Sequence, residues 1–238
     1  MNETKVKAIV LGGIDYKEKD MLVNLFTLEN GIVSVVFRGV KSPNAKLKSA
    51  KELFSFGDFI YSDAKNHVVT SAEIIDSFYN ITKNLKKYYT ACAMVDAVKT
   101  ALPPNEANPK VFLSLLKCLK LLSDGEASNH NVLNKFLIAL LQEVGYSFSL
   151  DECNNCGEPF MGSRYINLKY GDITCKNCRN DDCVELSPAT CNVLRLYCKT
   201  DFEKLPTLKI PEQNNEKTLK LLLLNFKYRF NKSLTVLM

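Results

Sequence analysis

The chain has 238 residues, of which 46% are hydrophobic and 24% are charged, a composition typical of a folded globular protein rather than a disordered one. That length suits one large domain or two to three smaller ones, each with its own core. No sequence run approaches the roughly 18 apolar residues of a membrane span, and the N-terminus lacks the cationic and apolar regions of a signal peptide. We therefore expect a cytoplasmic protein without a membrane partner.

The net charge of +5 is a weak signal by itself, but its distribution along the chain is informative. One segment of 14 residues has five cationic side chains and no carboxylate, as much positive charge as the whole chain has net. Its cations are Arg38, Lys41, Lys46, Lys48 and Lys51. We refer to residues 38–51 as the basic segment.

Strand patterns fill about the first 80 residues. They are short stretches rich in β-branched and aliphatic side chains, and Asn30-Gly31 is a turn signal between two of them. The predicted strands are Lys5 to Ile14, Met21 to Leu28, Ile32 to Phe37, Phe54 to Tyr61 and His67 to Phe78. Five short strands in this space favour an OB-fold barrel, although an SH3-like barrel has a similar signature.

Helical periodicity replaces the strand pattern after residue 80. Proline or glycine follows each of the first three predicted helices, and Ser187-Pro188 opens a fourth. The predicted helices are Asn84 to Leu102, Lys110 to Leu122, Asn131 to Val144, one from Ser187, and Glu216 to Phe230. The sequence thus predicts an α+β multidomain protein: an OB-fold nucleic-acid-binding domain over 1–80 and an α-helical domain over 81–238. A cysteine-rich insert interrupts the second domain at about 151–183.

The insert has the spacing of a metal site. Cys153-x2-Cys156 is followed, after eighteen residues, by Cys175-x2-Cys178. Two such pairs can bring four thiolates to the corners of a tetrahedron, which predicts one structural Zn²⁺ per chain. A site closed by four thiolates has no open position for water or substrate, so we expect the metal to support folding and not catalysis.

Several alternatives for the cysteines stay open. The four thiols could be buried without metal, act as a redox pair or hold an iron–sulfur cluster. Cys183 could replace Cys178 as a ligand. The remaining cysteines fall in helical segments and are expected to pack in the core: Cys92, Cys118, Cys191 and Cys198.

The basic segment suits contacts with phosphates, which give affinity without sequence preference. We expect a loop, with a short helix over Ala45 to Leu53, and a stacking surface for a base from Phe37 or Phe54. The alternative is a solvated loop that keeps the protein soluble. Two further basic groups are interpreted as solvated helix faces: Lys83, Lys86 and Lys87, and Lys217, Lys220, Lys227, Arg229 and Lys232.

Local motifs resemble those of the RecO family of recombination mediators. In the first 50 residues these are Val10-Leu11, Asp15-Tyr16-Lys17-Glu18-Lys19-Asp20, Phe26-Thr27, Gly31, Arg38-Gly39-Val40-Lys41-Ser42-Pro43 and Lys46-Leu47. Later, Leu140-Leu141-Gln142-Glu143-Val144-Gly145-Tyr146 leads into Cys153-x2-Cys156. The resemblance covers most of the chain and thins after about Cys183.

That resemblance implies a non-enzymatic protein of bacterial recombinational repair, cytoplasmic and nucleoid-associated. Such a protein binds single- and double-stranded DNA, anneals complementary strands and, with RecR, helps to load RecA onto DNA coated by single-stranded DNA-binding protein (SSB). A pocket in its helical domain takes the acidic, apolar-ended tail of SSB. The matching segment carries over Arg38, Lys41, Lys46 and Lys48 as DNA-binding residues, and Lys51 is added on charge alone.

Two rival functions stay in view. A zinc-dependent nucleic-acid-processing enzyme is one, although the sequence has no P-loop, dinucleotide fingerprint, nucleophile elbow or His-Glu-x-x-His motif. Asp58 and Asp63 are interpreted as turn residues and not as a catalytic pair. A pure protein–protein scaffold, in which the basic segment is incidental, is the other.

Overall fold

The structure, a computed structural model, describes residues 3–62 and 67–237. Its N-terminal part is a closed five-stranded barrel. The strands are β1 (Glu3–Tyr16), β2 (Asp20–Thr27), β3 (Gly31–Phe37), β4 (Phe56–Ser62) and β5 (Val68–Asp76). The five predicted strands and the barrel are therefore confirmed. Asp58 lies within β4, so its interpretation as a turn residue was wrong, and Asp63 lies outside the described residues.

The barrel closes in the order β1-β2-β3-β5-β4, with β1 also pairing to β4. β1 is long enough to serve two neighbours: its first half pairs with β4 and its second half with β2. A bulge between Val10 and Gly13 interrupts the ladder with β2, and Gly12 there has a φ of +107°. Closure between β3 and β5 is parallel and rests on Val36 and Val68, with the Val36 N–H donating to the His67 carbonyl at 2.7 Å.

Side chains of the barrel alternate between two cores, as the period of a strand dictates. On β1, Val6 and Val10 point into the barrel, whereas Ile9 and Leu11 point outward into a larger core formed by the helices. Both sets are almost completely buried. The outer face of the barrel is thus part of the hydrophobic core of the helical region.

The helical region follows the barrel directly. Its helices are α1 (Tyr79–Thr82), α2 (Leu85–Ala101), α3 (Pro109–Asp124), α4 (Asn129–Glu143), α5 (Pro188–Lys199) and α6 (Glu212–Phe230), with a 3-10 helix at Phe202–Thr207. The predicted caps are confirmed where tested: Ser187 accepts the N–H of Thr190 at 3.1 Å, and Pro188 occupies the first turn of α5. None of the helices within residues 3–62 and 67–237 has the length and apolar character of a membrane span.

The connection between α2 and α3 is held against the barrel by its backbone. The Asn105 N–H donates to the Ile32 carbonyl at 3.0 Å, and Pro104 forms a parallel bridge with Ile32. Gly31 sits at a φ of +69°, and a Cβ there would overlap the Glu106 carbonyl. Only glycine fits this crossing, because both the backbone conformation and the space exclude a side chain.

A small cysteine module lies in the chain between α4 and α5. Its three-stranded sheet has the order β7-β6-β8, with β6 (Arg164–Asn167), β7 (Ile173–Cys175) and β8 (Cys183–Leu186). The Asn225 amide of α6 donates to the Leu168 carbonyl at 2.9 Å, and Arg195 of α5 donates to the Leu150 carbonyl at 2.9 Å. Side chains of the last two helices therefore hold the start of the module and the loop after β6.

A buried polar network connects α4, α5 and α6. The Tyr197 hydroxyl lies 2.9 Å from Asn131 Oδ1 and 2.6 Å from Asn215 Oδ1, and Asn134 donates to the same Asn215 oxygen at 2.6 Å. Next to it, the buried Lys135 Nζ donates to the Tyr197 carbonyl at 2.8 Å. Asn134 Oδ1 is the one buried oxygen of this network that lacks a partner among the described residues. The other contacts favour one arrangement of the helices, because any other leaves more of these polar groups unpaired.

Candidate metal centre and nucleic-acid interface

The four sulfurs of the predicted site come together. The Sγ atoms of Cys153, Cys156, Cys175 and Cys178 all lie within 4.8 Å of one another. A tetrahedral Zn²⁺ with bonds of about 2.3 Å needs sulfurs about 3.8 Å apart, a separation within this limit. The four cysteines therefore fit a single metal ion.

Local backbone geometry accounts for this convergence. The first pair lies in a tight turn in which the Gly157 N–H donates to the Cys153 carbonyl at 2.9 Å, and Gly157 has a φ of +72°. The second pair follows β7, where the Cys175 N–H donates to Cys153 Sγ at 3.3 Å. Asn154 connects the two turns, since its N–H donates to the Ile173 carbonyl and its Oδ1 accepts the Ile173 N–H, both at 2.9 Å.

The electrostatics of the group favour one thiolate and oppose four. Burial acts to raise the pKa of Cys153, but backbone N–H groups of Cys156, Cys175 and Asn155 outweigh it and lower that pKa to about 6. The pKa of Cys178 is raised to about 12, chiefly because its thiol is hydrogen-bonded to Cys175 and Cys156. Four adjacent anions need a compensating cation, and a divalent metal ion supplies it.

Cys183 stays outside this group. Its thiol donates to Asn180 Oδ1 at 3.0 Å and lies 4.0 Å from the Thr174 hydroxyl. Of the cysteines predicted to pack in the core, Cys118 and Cys191 are buried and Cys92 is partly buried. The prediction was wrong for Cys198, which is exposed. It follows the buried Tyr197 by one residue, and one step along a helix turns a side chain by about 100°.

The basic segment is a chain of tight turns held against the end of the barrel. Val40 and Ala50 are buried in the barrel core, and consecutive turns include the Lys48 N–H donating to the Ala45 carbonyl at 3.2 Å. The predicted short helix over 45–53 is therefore wrong. Leu47, Ala50 and Phe54 recur at helical spacing, but the backbone bonds here form separate turns of three residues, such as the Ala50 N–H to the Leu47 carbonyl at 3.1 Å.

The five cations of the basic segment differ in their surroundings. Lys41 Nζ lies 2.8 Å from an Asp15 carboxylate oxygen, and Lys51 Nζ lies 2.8 Å from one of Glu52. The other three are exposed, and they form no ion pair within the described part of the chain: Arg38, Lys46 and Lys48. These three have the free charge that a phosphate would meet.

Neither predicted stacking residue is accessible. Phe37 is buried in the barrel, 6.5 Å from the ring of Phe59, and Phe54 is buried against the helices, 5.8 Å from the ring of Tyr88. The prediction of base stacking on Phe37 or Phe54 was therefore wrong. The backbone of the strand or turn that carries each ring directs it into a core. Their sequence positions beside a basic loop do not reveal this burial.

The turn between β1 and β2 lies beside the basic segment and was missed by sequence reasoning. The Gly39 N–H donates to Asp20 Oδ1 at 2.8 Å, and the Lys41 N–H donates to the Lys19 carbonyl at 3.1 Å. In the same turn, Lys17 Nζ lies 5.3 Å from the centre of the partly exposed Tyr16 ring. An aromatic side chain next to lysines was the available signal for an alternative stacking surface.

An apolar pocket with basic sides lies on α3. It has a volume of about 280 Å³ and is walled by Leu116, Leu121 and Phe202. Lys117 and Lys120 line its sides, and Lys117 pairs with the exposed carboxylate of Glu203 at 2.6 Å. Exposed pairs of this kind contribute little stability and open readily.

Comparison with known proteins gives one consistent result. Residues 1–78 match the family described as Recombination protein O N terminal, and residues 82–237 match Recombination protein O C terminal. A DNA repair protein RecO from Clostridium novyi is 26% identical over 219 residues, which cover 92% of this chain and 86% of that protein. The protein of the same name from Bacillus pumilus is 28% identical over 215 residues, which cover 89% and 83%.

Proposed function

We propose that this chain, which belongs to the RecO family and so has a role in DNA repair and recombination, binds single- and double-stranded DNA through the barrel and its basic segment. The observation that carries the proposal is the set of three free cations on a segment fixed to the barrel: Arg38, Lys46 and Lys48. Contacts from such side chains go to phosphates and give affinity without base preference. Lys41 and Lys51 contribute less, because the carboxylate beside each of them repels a phosphate.

DNA binding of this kind supports annealing of complementary strands. Cations that neutralise phosphates reduce the repulsion between two DNA strands. Contacts that do not depend on base sequence allow the strands to shift until complementary bases align. We propose residues 1–80 and 81–238 as the two functional units, with the cysteine module at about 151–183 inserted in the second. Catalytic turnover is not part of the proposal, since a recombination mediator needs none.

The metal proposed for the cysteine module is Zn²⁺. Four sulfurs within 4.8 Å suit one tetrahedral ion, whereas the cysteines of an iron–sulfur cluster bind different irons. Cys153, Cys156, Cys175 and Cys178 would hold it, and the bound ion would supply folding energy to the module. A site closed by four thiolates does not support the rival zinc-dependent enzyme.

The pocket on α3 supports the proposed contact with SSB. An apolar chain end fits against Leu116, Leu121 and Phe202, and the acidic residues before it fit Lys117 and Lys120. Both lysines already have carboxylate partners, Lys117 with Glu203 and Lys120 with Asp124 and Asp76, and these pairs would exchange for pairs with the peptide. RecR and RecA enter the proposal as partners through family membership alone, and the same membership supports a cytoplasmic, nucleoid-associated location in a bacterium.

The test is annealing of complementary strands coated with SSB, without nucleotide. We expect acceleration by the wild-type protein and its loss in the triple variant Arg38→Gln/Lys46→Gln/Lys48→Gln, together with a flatter dependence of oligonucleotide affinity on salt. The matched control is Lys41→Gln/Lys51→Gln, which removes ion-paired cations and should have the smaller effect. A triple variant with unchanged affinity and salt dependence would contradict the assignment, and a wild-type protein that binds no oligonucleotide at low salt would favour a protein scaffold.

A further inference from the structure

A second concentration of positive charge lies at the C-terminal end of the chain. From Lys217 onward the sequence has five cationic side chains and no carboxylate, which equals the net charge of the whole chain. Within residues 3–62 and 67–237, none of the five forms an ion pair. They are Lys217, Lys220, Lys227, Arg229 and Lys232. Two carboxylates lie close by without forming an ion pair: Glu216 precedes Lys217 on the same helix, and Asp172 acts on Arg229.

Most of these cations share one face of α6. Lys217, Lys220, Leu224, Lys227 and Tyr228 are all exposed and follow one another at spacings of one, three or four residues, so they form a stripe along the helix. The stripe extends about 17 Å, from the rise of 1.5 Å per residue. Tyr228 is 54% exposed and Leu224 is 37% exposed, which places apolar surface between the charges.

A separate group of cations and rings lies where another side of α6 meets the cysteine module, because Arg229 follows Lys227 by two residues and so points about 160° away around the helix. The guanidinium of Arg229 lies 4.0 Å from the centre of the Tyr146 ring and donates to the Tyr170 carbonyl. The Tyr170 side chain is itself 54% exposed, and Lys169 Nζ lies 5.2 Å from the centre of its ring. Alternating cations and exposed aromatic rings are the surface that non-specific binders of single strands use, with phosphates on the cations and bases on the rings.

Most exposed lysines of α2 and α3 differ from those of α6, because they have carboxylates beside them. Lys99 pairs with Asp96 at 2.8 Å, and Lys120 with Asp124 at 3.2 Å. Lys86 of α2 is exposed too, but it forms no ion pair among the described residues. Mixed signs of that kind are the usual state of a solvated surface. The α6 stripe has a single sign over three turns, and its mutual repulsion is relieved when an anion binds along it.

We propose that the exposed face of α6 binds a second strand of DNA, separate from the one on the basic segment. The two surfaces belong to different parts of the molecule, because α2 contacts the barrel, α4 packs on α2, and α6 packs on α4. One chain then holds two strands at once, which is what annealing requires. The inference rests on the proposed function for its first strand and adds the site of the other.

The experiment compares two triple variants of the full-length protein, Lys217→Gln/Lys220→Gln/Lys227→Gln on α6 and Arg38→Gln/Lys46→Gln/Lys48→Gln on the barrel. The probe is a fluorescent oligonucleotide of about 8 nucleotides, within the usual site size of a single-strand binder. Fluorescence anisotropy at low salt gives the equivalents bound per chain. We expect two equivalents for the wild type, one for each triple variant and none for the combined variant. The slope of log affinity against log salt concentration should become less steep by about 0.7 for each phosphate that a variant no longer neutralises.

The outcomes separate this inference from the proposed function. If the α6 variant binds as the wild type does while the barrel variant loses binding, the inference is overturned and the proposed function stands. If the α6 variant alone loses binding, the inference stands and the assignment to the basic segment fails. Binding of one equivalent by the wild type, abolished in the barrel variant, again overturns the inference.

Two controls guard the interpretation. The variant Lys217→Arg/Lys220→Arg/Lys227→Arg keeps the charge and should bind two equivalents; a loss there would overturn an electrostatic role. A labelled peptide with acidic residues and an apolar end tests the other possible occupant of this face. Loss of peptide binding by the glutamine variant, with oligonucleotide binding intact, would overturn the inference in favour of a protein partner. Thermal unfolding checks that each variant folds.

Discussion

Replacing Cys178 and Cys183 in turn gives the sharpest test of the metal centre. The sulfur of Cys178 lies in the group of four, whereas the thiol of Cys183 donates a hydrogen bond to Asn180 Oδ1. Structural zinc contributes about 10–16 kcal/mol to a folded module, or about 2.5–4 kcal/mol for each of four ligands. We therefore expect Cys178→Ser to weaken zinc binding by roughly 100-fold or more, at 1.4 kcal/mol per tenfold. Cys183→Ser should leave the affinity within a factor of about 3, since it removes no ligand.

The assay is competition for zinc against a chromophoric chelator at constant pH, with metal content measured for each purified protein. Binding of Co²⁺ adds a readout of geometry, since its absorption spectrum distinguishes four thiolates from three. The reasoning would be refuted if Cys183→Ser lost the metal and Cys178→Ser kept it, because the second pair would then form a different turn. Equal affinity for both variants would also contradict a site of four sulfurs.

Three further predictions concern the rest of the fold. Burial lowers the pKa of Lys135, so between the folded pKa and 10.5 the unfolded chain keeps a proton that the folded chain has lost. The free energy of unfolding of the wild type, relative to that of Lys135→Met, should therefore rise with pH over this range. Urea unfolding of both proteins at pH 7.5 and 10 checks the sign. Gly31→Ala should cost more than about 2 kcal/mol because its Cβ meets Glu106, whereas Gly39→Ala, at a φ of +62° with open space around it, should cost about 1 kcal/mol; equal costs would argue against the backbone crossing. Phe54→Leu should lower the free energy of unfolding by about 1 kcal/mol and leave oligonucleotide affinity unchanged, because its ring packs against the helices.

Sequence periodicity predicted the elements well because most of them are amphipathic. β1 alternates between the two cores along its length, and α3 repeats apolar residues on one face, so both patterns are local. The cysteine spacing worked for the same reason: two short turns fix the four sulfurs once Asn154 connects them. These features depend on residues that are close in sequence.

The errors in the predicted DNA site come from contacts that are distant in sequence. Asp15 neutralises Lys41 from a neighbouring hairpin, so a count of charges within the basic segment overstates its free charge. Phe54 looks available beside a loop, yet its partner Tyr88 lies 34 positions later on α2. The sequence pattern also cannot separate a solvated basic helix from a binding face, because the deciding fact on α6 is that its lysines form no ion pair among the described residues.

The outward-facing side chains of the barrel have a consequence for dissecting the protein. A fragment that ends near residue 80 would expose five large apolar side chains, each worth about 1.5–3 kcal/mol on burial, which together rival the whole stability of a small domain. They are Ile9, Leu11, Phe26, Ile32 and Phe54. The barrel and the helices should therefore melt as one cooperative unit. A DNA strand bound to the barrel would then slow amide hydrogen exchange in α2 and α3 as well, far from any phosphate contact.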